Sequence, residues 1–192
     1  FLMEFGRSDA GRMIGADIQQ RMWPSLALAI PTFIIGIAVN IVFALFVVMF
    51  RATAIDTAAL ILCVALLSIS AIFYILGGQY FIAKLWHWVP ISGYLPGFEA
   101  WRFLILPVAI GVVSGIGGGT RLYRTLFLEE ANKDYVRTAR AKGVSETKVL
   151  FKHVLPNGLI PILTSVVVVI PSLFMGSLLM ESFFGIPGLG SY

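Results

Sequence analysis

The sequence predicts an all-α integral membrane protein, and three observations carry that reading. Its 192 residues are 58% hydrophobic and only 12% charged, with a mean hydropathy of +0.91. A soluble domain holds about 25% charged residues. Four stretches carry no charge at all: Met22–Phe50, Thr57–Ala83, Phe103–Thr120 and Val154–Met180. A helix needs roughly 20 apolar residues to cross hydrocarbon, with a range of about 17–25. The one Asn-Gly pair in these stretches, Asn157-Gly158, is not flanked by alternating residues, which favours helices over barrel strands. The single Cys63 leaves no disulfide framework and no Cys-based zinc site.

Taken in order, residues 1–22 are a charge-balanced segment mixing Glu4, Asp9 and Asp17 with Arg7, Arg12 and Arg21. They lack the pattern of a signal peptide, and Phe1 in place of Met suggests a fragment or a processed chain. Residues 23–50 form the first span, kinked at Pro31. Residues 51–56 make a short turn, and 57–76 the second span. The loop 77–100 gathers Tyr80, Trp86, Trp88 and Tyr94, with Trp101 at its edge, the rings expected at a membrane interface. Pro90, Gly93, Pro96 and Gly97 break helical continuity there. His87, alone among them, reads as a structural polar tip because metal ligands come in clusters.

The third span is 101–120. Its Gly111, Gly115 and Gly119, four apart and flanked by Ser114 and Gly118, form a stripe that lets helices approach closely. A phosphate-cradling loop at 115–120 fails, since no strand precedes it and no Gly-Lys-Ser/Thr ends it. Residues 159–180 form the fourth span, with Pro171 inside, and 181–192 a short terminal segment. Asp56 and Glu181 fall at span ends and read as groups snorkelling to interfacial water.

Residues 121–158 hold the entire charge surplus. Arg121, Arg124, Lys133, Arg137, Arg140, Lys142, Lys148 and Lys152 stand against Glu129, Glu130, Asp134 and Glu146, and the rest of the chain is balanced. Lys and Arg are retained on the cytoplasmic side, which puts 121–158 and 51–56 inside and 1–22, 77–100 and 181–192 outside. Helix connections in a bundle run about 2–8 residues, so this segment is more than a connector. Leu122–Lys142 has helical composition, with Glu129 and Lys133 as a favourable pair. Gly143 offers a left-handed stop. Ser145 is an N-cap for a second short helix through Phe151, which Pro156 and Asn157-Gly158 should end. No carboxylate pair, His-x-x-x-His or Ser/His/Asp set falls in any span, so the sequence points to no catalysis, metal or cofactor.

The run Asp134-Tyr135-Val136-Arg137-Thr138-Ala139-Arg140-Ala141-Lys142-Gly143, followed by His153-Val154-Leu155-Pro156-Asn157, resembles a known signature. It is the cytoplasmic "EAA" motif of permease subunits in binding-protein-dependent ABC importers. That motif reads Glu-Ala-Ala, three residues, Gly, nine residues, Ile, one residue, Leu-Pro. Counted from Gly143, its second Ala falls on Ala139 and its Leu-Pro on Leu155-Pro156. Arg137 and Thr138 replace Glu-Ala, and His153 replaces Ile. Those departures are similar to the dipeptide, oligopeptide and nickel branch, as are Phe5-Gly6-Arg7-Ser8, Gly176 to Glu181 and Pro187-Gly188-Leu189-Gly190.

The resemblance implies a helical bundle of the type I importer permease kind, in which six spans are usual. The four spans here would be the second to fifth, making the chain a fragment that stops at Tyr192 shortly before a sixth. Implied partners are two cytoplasmic ABC ATPase subunits, a second and non-identical permease subunit, and an extracytoplasmic solute-binding protein. The setting is a bacterial cytoplasmic membrane, with lipid around the chain and no nucleic acid involved. ATP would be hydrolysed by the partner, and the solute would be a peptide or a related small molecule. The ATPase-docking residues would be Arg137, Thr138, Ala139, Arg140, Ala141, Lys142, Gly143, Val144 and Ser145, with His153, Leu155 and Pro156 closing the signature. Ala139 and Ala141 would permit close approach, Arg137, Arg140 and Lys142 would anchor, and Gly143 would allow the turn.

Two other classes compete. Contact of a basic loop with anionic lipid needs no fixed spacing of Gly143 and Leu155-Pro156. A secondary transporter or channel subunit working without ATP would need intramembrane ionisable groups or broken-helix ion sites, and an integral-membrane enzyme a convergent polar site.

Overall fold

The computed structural model describes residues 13–95, 97 and 99–191; Phe5–Ser8, Pro96 and Tyr192 lie outside the described residues. Every regular element in it is helical. Helix α1 runs Ile14–Met49, α2 Ala54–Ser68, α3 Ala71–Gly78, α4 Ala100–Ala131, α5 Asp134–Ala141, α6 Glu146–Val149, α7 Leu155–Leu173 and α8 Leu178–Phe184. A π-helical stretch, Gln79–Leu85, continues α3, and another, Leu150–Val154, joins α6 to α7. The chain divides into two compact units, residues 1–33, 71–111 and 170–192 in one and 34–70 and 112–169 in the other.

Among the described residues, three helical runs are long and apolar enough to cross a membrane: Ile14–Met49, Ala100–Ala131 and Glu146–Leu173. The second expected span, 57–76, is two helices. Ile69 turns extended between them (φ −84, ψ 125), so α2 and α3 reach spanning length only as a broken pair. Ser68 lies at that break, its hydroxyl bonded back to the Val64 carbonyl at 2.9 Å, a bond that competes with continued helix. Pro24 and Pro31 sit inside α1 and Pro107 inside α4 without ending either helix. Immediately after Pro31, the Thr32 hydroxyl donates back to the Leu28 carbonyl at 2.7 Å, a side-chain bond within the preceding turn. The last expected span stops early. Helix α7 ends at Leu173, and Gly176 (φ +73) turns the chain into α8.

In the unit that holds α3 and α8, the expected snorkelling of Glu181 is replaced by burial. Its side chain is 1% exposed. The Ser25 hydroxyl and the Ser177 amide donate to Oε1 at 2.8 and 3.1 Å, and the Ser191 amide donates to Oε2 at 3.0 Å. The Leu189 amide in turn donates to Ser25 Oγ at 2.7 Å. Three donors satisfy a carboxylate that would otherwise be costly to bury, and they pin the segment 186–191 to α1. Gly176 has no room for a side chain, because a Cβ there would lie 2.5 Å from the Gly190 amide nitrogen. The same unit buries Ile75, Leu106, Ile110, Phe184 and Ile186.

The other unit is organised by one buried cluster. Ala44, Leu45 and Val48 of α1 meet Tyr123, Phe127 and Ala131 of α4, Val136 and Ala139 of α5, Val149 of α6, Leu150 and Val154 of the π-helical turn, and Ile162 of α7. Asp56, also expected to snorkel, is buried and paired. Arg124 donates to Oδ1 through Nε at 2.9 Å and to Oδ2 through Nη2 at 2.8 Å. Asn40 of α1 accepts from the Thr120 hydroxyl of α4 at 3.0 Å, so α4 is held by polar pairs on two sides.

Candidate functional site

Residues 132–158 fold as a helical hairpin built onto the buried cluster. Lys133 caps the start of α5 in extended conformation, and Asp134 in its first turn complements the helix dipole. The helical period then sorts the side chains. Val136 and Ala139 turn inward to the cluster, while Tyr135, Arg137, Thr138 and Ala141 remain exposed. Helix α5 stops as the sequence leads one to expect, at Gly143 with φ +77. The Gly143 amide donates to the Arg140 carbonyl at 2.9 Å and the Val144 amide to the Ala139 carbonyl at 3.3 Å. That is a Schellman closure, which requires a left-handed residue at Gly143. Val144 packs against the cluster and completes it.

Ser145 stands at the N-cap of α6 as expected, but its hydroxyl makes no capping bond. The second helix does not end at Pro156 and Asn157-Gly158. It runs into α7 because the π-helical turn Leu150–Val154 shifts the hydrogen-bond register, with the Leu155 amide donating back to the Leu150 carbonyl. A widened turn of this kind absorbs the donor that proline lacks. Asn157 adds a side-chain bond from Nδ2 to the His153 carbonyl at 2.8 Å.

Two side chains expected to face a partner belong instead to the hairpin itself. Ala139 is buried. Arg140 is half-buried: Nη1 donates to the Ala131 carbonyl at 3.1 Å, Nε to Glu146 Oε1 at 2.7 Å and Nη2 to Glu146 Oε2 at 3.4 Å. It ties the end of α4 to both arms. The exposed face consists of Arg137, Thr138, Ala141, Lys142, Gly143 and Ser145, joined by Phe151, which is 53% exposed. His153 and Leu155 are half-buried, and Pro156 is exposed.

Tyr135 fastens the hairpin's base. Its hydroxyl donates to Glu130 Oε1 at 2.5 Å and lies 3.3 Å from the His153 carbonyl oxygen. Partial desolvation at the hairpin base, and then the Glu130 carboxylate, push its pKa from 10.0 up to about 12. The neutral phenol is thus favoured in the folded chain. Its stabilisation is whole below the ordinary value and is lost as pH rises through the folded one. Melting curves between pH 9 and roughly 12 should therefore fall more steeply for the native chain than for Tyr135→Phe.

Of the glycine stripe, Gly111 admits Thr32 of α1 and Gly119 admits Asn40. A Cβ would lie 2.6 Å from Thr32 Cγ2 and 2.5 Å from Asn40 Cγ, whereas Gly115 has open space. Gly117, outside the stripe, approaches α2 most closely, since a Cβ would lie 2.5 Å from the Cys63 carbonyl oxygen. Gly158 of α7 is equally constrained, by Phe127, with 2.5 Å to Cδ1. Gly158→Leu should displace this fully buried ring and cost about 1–3 kcal/mol. A lowered melting temperature that Phe127→Leu partly restores would identify the clash as the cause.

The chain matches the family described as binding-protein-dependent transport system inner membrane component over residues 21–192. A Brucella abortus (strain 2308) protein, carrying the provisional name peptide transport system permease protein, is 32% identical over 195 residues. The match covers 99% of this chain and 62% of that protein. The oligopeptide transport system permease protein AppB of Bacillus subtilis (strain 168) is 45% identical over 93 residues, 48% of this chain and 29% of AppB. The dipeptide transport system permease protein DppB of the same strain is 39% identical over 89 residues, 46% of this chain and 29% of DppB. The chain spans less than two thirds of the length of these relatives.

Proposed function

The chain belongs to the family of binding-protein-dependent transport system inner membrane components, and on that premise we propose that it acts as a permease subunit of an ATP-driven importer. It is a multi-pass inner-membrane component, and its spans would form part of the solute pathway. The hairpin 132–158 would sit at the cytoplasmic face and receive a partner ATPase. A second permease subunit would complete the pathway, and an extracytoplasmic binding protein would deliver the solute. The names of the relatives support peptides as the solute class.

One observation carries the coupling role. The exposed rim of Arg137, Thr138, Ala141, Lys142 and Gly143 stands on the same buried cluster that joins α1, α4 and α7. Cores are close-packed and transmit displacement rather than absorbing it. A force on the rim therefore reaches three helices at once through Val136, Ala139, Leu150 and Val154.

Reconstituted vesicles test this directly. Uptake of a labelled peptide should require ATP, the ATPase and the binding protein, and should persist when proton and sodium gradients are collapsed. Uptake that follows an ion gradient and ignores ATP would overturn the proposal in favour of a secondary transporter.

A further inference from the structure

Beyond solute transport, we propose that the groove between α2 and α4 is a binding site for one anionic phospholipid, with Arg121 as its headgroup ligand. The groove, of about 480 Å³, is lined by Leu60 and Leu67 of α2 and by Gly118, Arg121, Leu122 and Thr125 of α4, with Arg124 beside them. Its two ends differ in chemistry.

At the polar end stands Arg121, the first charge after the uncharged stretch 103–120. It is exposed and has no carboxylate partner among the described residues. Arg124, one turn on, is already neutralised by Asp56 at 2.8 Å. The Thr125 hydroxyl is spent on the Arg121 carbonyl at 3.1 Å. One guanidinium therefore faces the groove uncompensated, where hydrogen-bond donors in a planar fork suit a phosphate.

Away from Arg121 the groove becomes apolar. Leu60 and Leu67 are seven residues apart, about 10 Å of helix rise. Gly118 forms the floor, where even a Cβ would stay 3.6 Å from Leu67 Cδ2. Leu67 and Leu122 are 47% and 50% exposed. An occupant must present an anion at one end and at least 10 Å of hydrocarbon behind it. A free phosphate fills only the first requirement and a neutral lipid only the second. A phospholipid with net negative charge meets both.

Native mass spectrometry of the assembled permease in detergent, titrated with phosphatidylglycerol or phosphatidylcholine, tests the assignment. Phosphatidylglycerol should be retained preferentially, and Arg121→Gln should weaken its retention about fivefold. Lys152→Gln, the same charge change outside the groove, should not. Gly118→Leu keeps the charge but fills the floor, and it should also lower retention; its melting temperature reports whether it is folded. Glycerol phosphate at the same concentration should not compete. Equal losses for Arg121→Gln and Lys152→Gln, equal retention of the two lipids, or displacement by glycerol phosphate would each overturn the site.

Discussion

Asp56→Asn is expected to cost the folded protein about 3–5 kcal/mol, because it leaves the Arg124 guanidinium buried without a countercharge. The two side chains are only 17% and 10% exposed, so water cannot take over the lost bonds. The acid also receives the Ala52 amide at 3.2 Å, and Ala52 holds a positive φ of 60° in the turn between α1 and α2. Asn can still accept one of these bonds but carries no charge. Arg124→Gln should be comparably harmful for the mirror reason, a carboxylate stranded beside apolar helices. The double variant Asp56→Leu with Arg124→Leu should recover much of the loss, since an apolar pair of similar volume removes both desolvation costs together. Thermal melts of the detergent-solubilised protein read the outcome. An exposed ion pair is worth about 0–1 kcal/mol. Single variants that melt within that small margin would mean the pair is solvated and ties nothing.

This pair also shows where sequence reading stops. The charge-free stretches, the basic segment and the stop at Gly143 are local patterns, and each is visible in the structure. Asp56 and Arg124 are 68 positions apart, and no periodicity connects them. Asp56 therefore read as an end-of-span charge, and Arg124 as one more basic residue of the segment 121–158. Glu181 was hidden in the same way, its partners Ser25, Ser177 and Ser191 being ordinary residues until the fold assembles them. The inward turn of Ala139 and Arg140 was closer to legible. Val136, Ala139 and Arg140 follow a three-and-four spacing, and the mostly polar composition of α5 drew attention to its outer face instead. The π-helical turn that carries the chain past Pro156 has no such signal, because it depends on packing Leu150 and Val154 into the cluster. The break at Ile69–Ser70 is intermediate, with two serines flanking one isoleucine in an otherwise continuous apolar run.

Gly143→Val is expected to abolish coupled uptake while leaving the membrane helices folded. Gly143 holds φ at +77° with open space around its Cα, so the penalty is conformational and not steric. A left-handed residue costs an L-amino acid about 1–2 kcal/mol, and a β-branched one suffers most. The simplest relief is to give up the two closing bonds to Arg140 and Ala139, which unlatches α6 from α5. Asn tolerates the left-handed region better, so the series Gly, Asn, Ala, Val should lose ATPase retention in that order. Retention on a tagged permease should drop more than tenfold at Val, since a latch weakened by about 2 kcal/mol is open most of the time unless other contacts hold it. The conformational penalty is about 1–2 kcal/mol, below the roughly 3–5 kcal/mol expected for a broken buried pair, so melting of the Val variant should change less than that of Asp56→Asn. That separation distinguishes a docking role from a folding role. If Gly143→Val keeps both ATPase retention and ATP-dependent uptake, the hairpin is not the coupling element, whatever its shape.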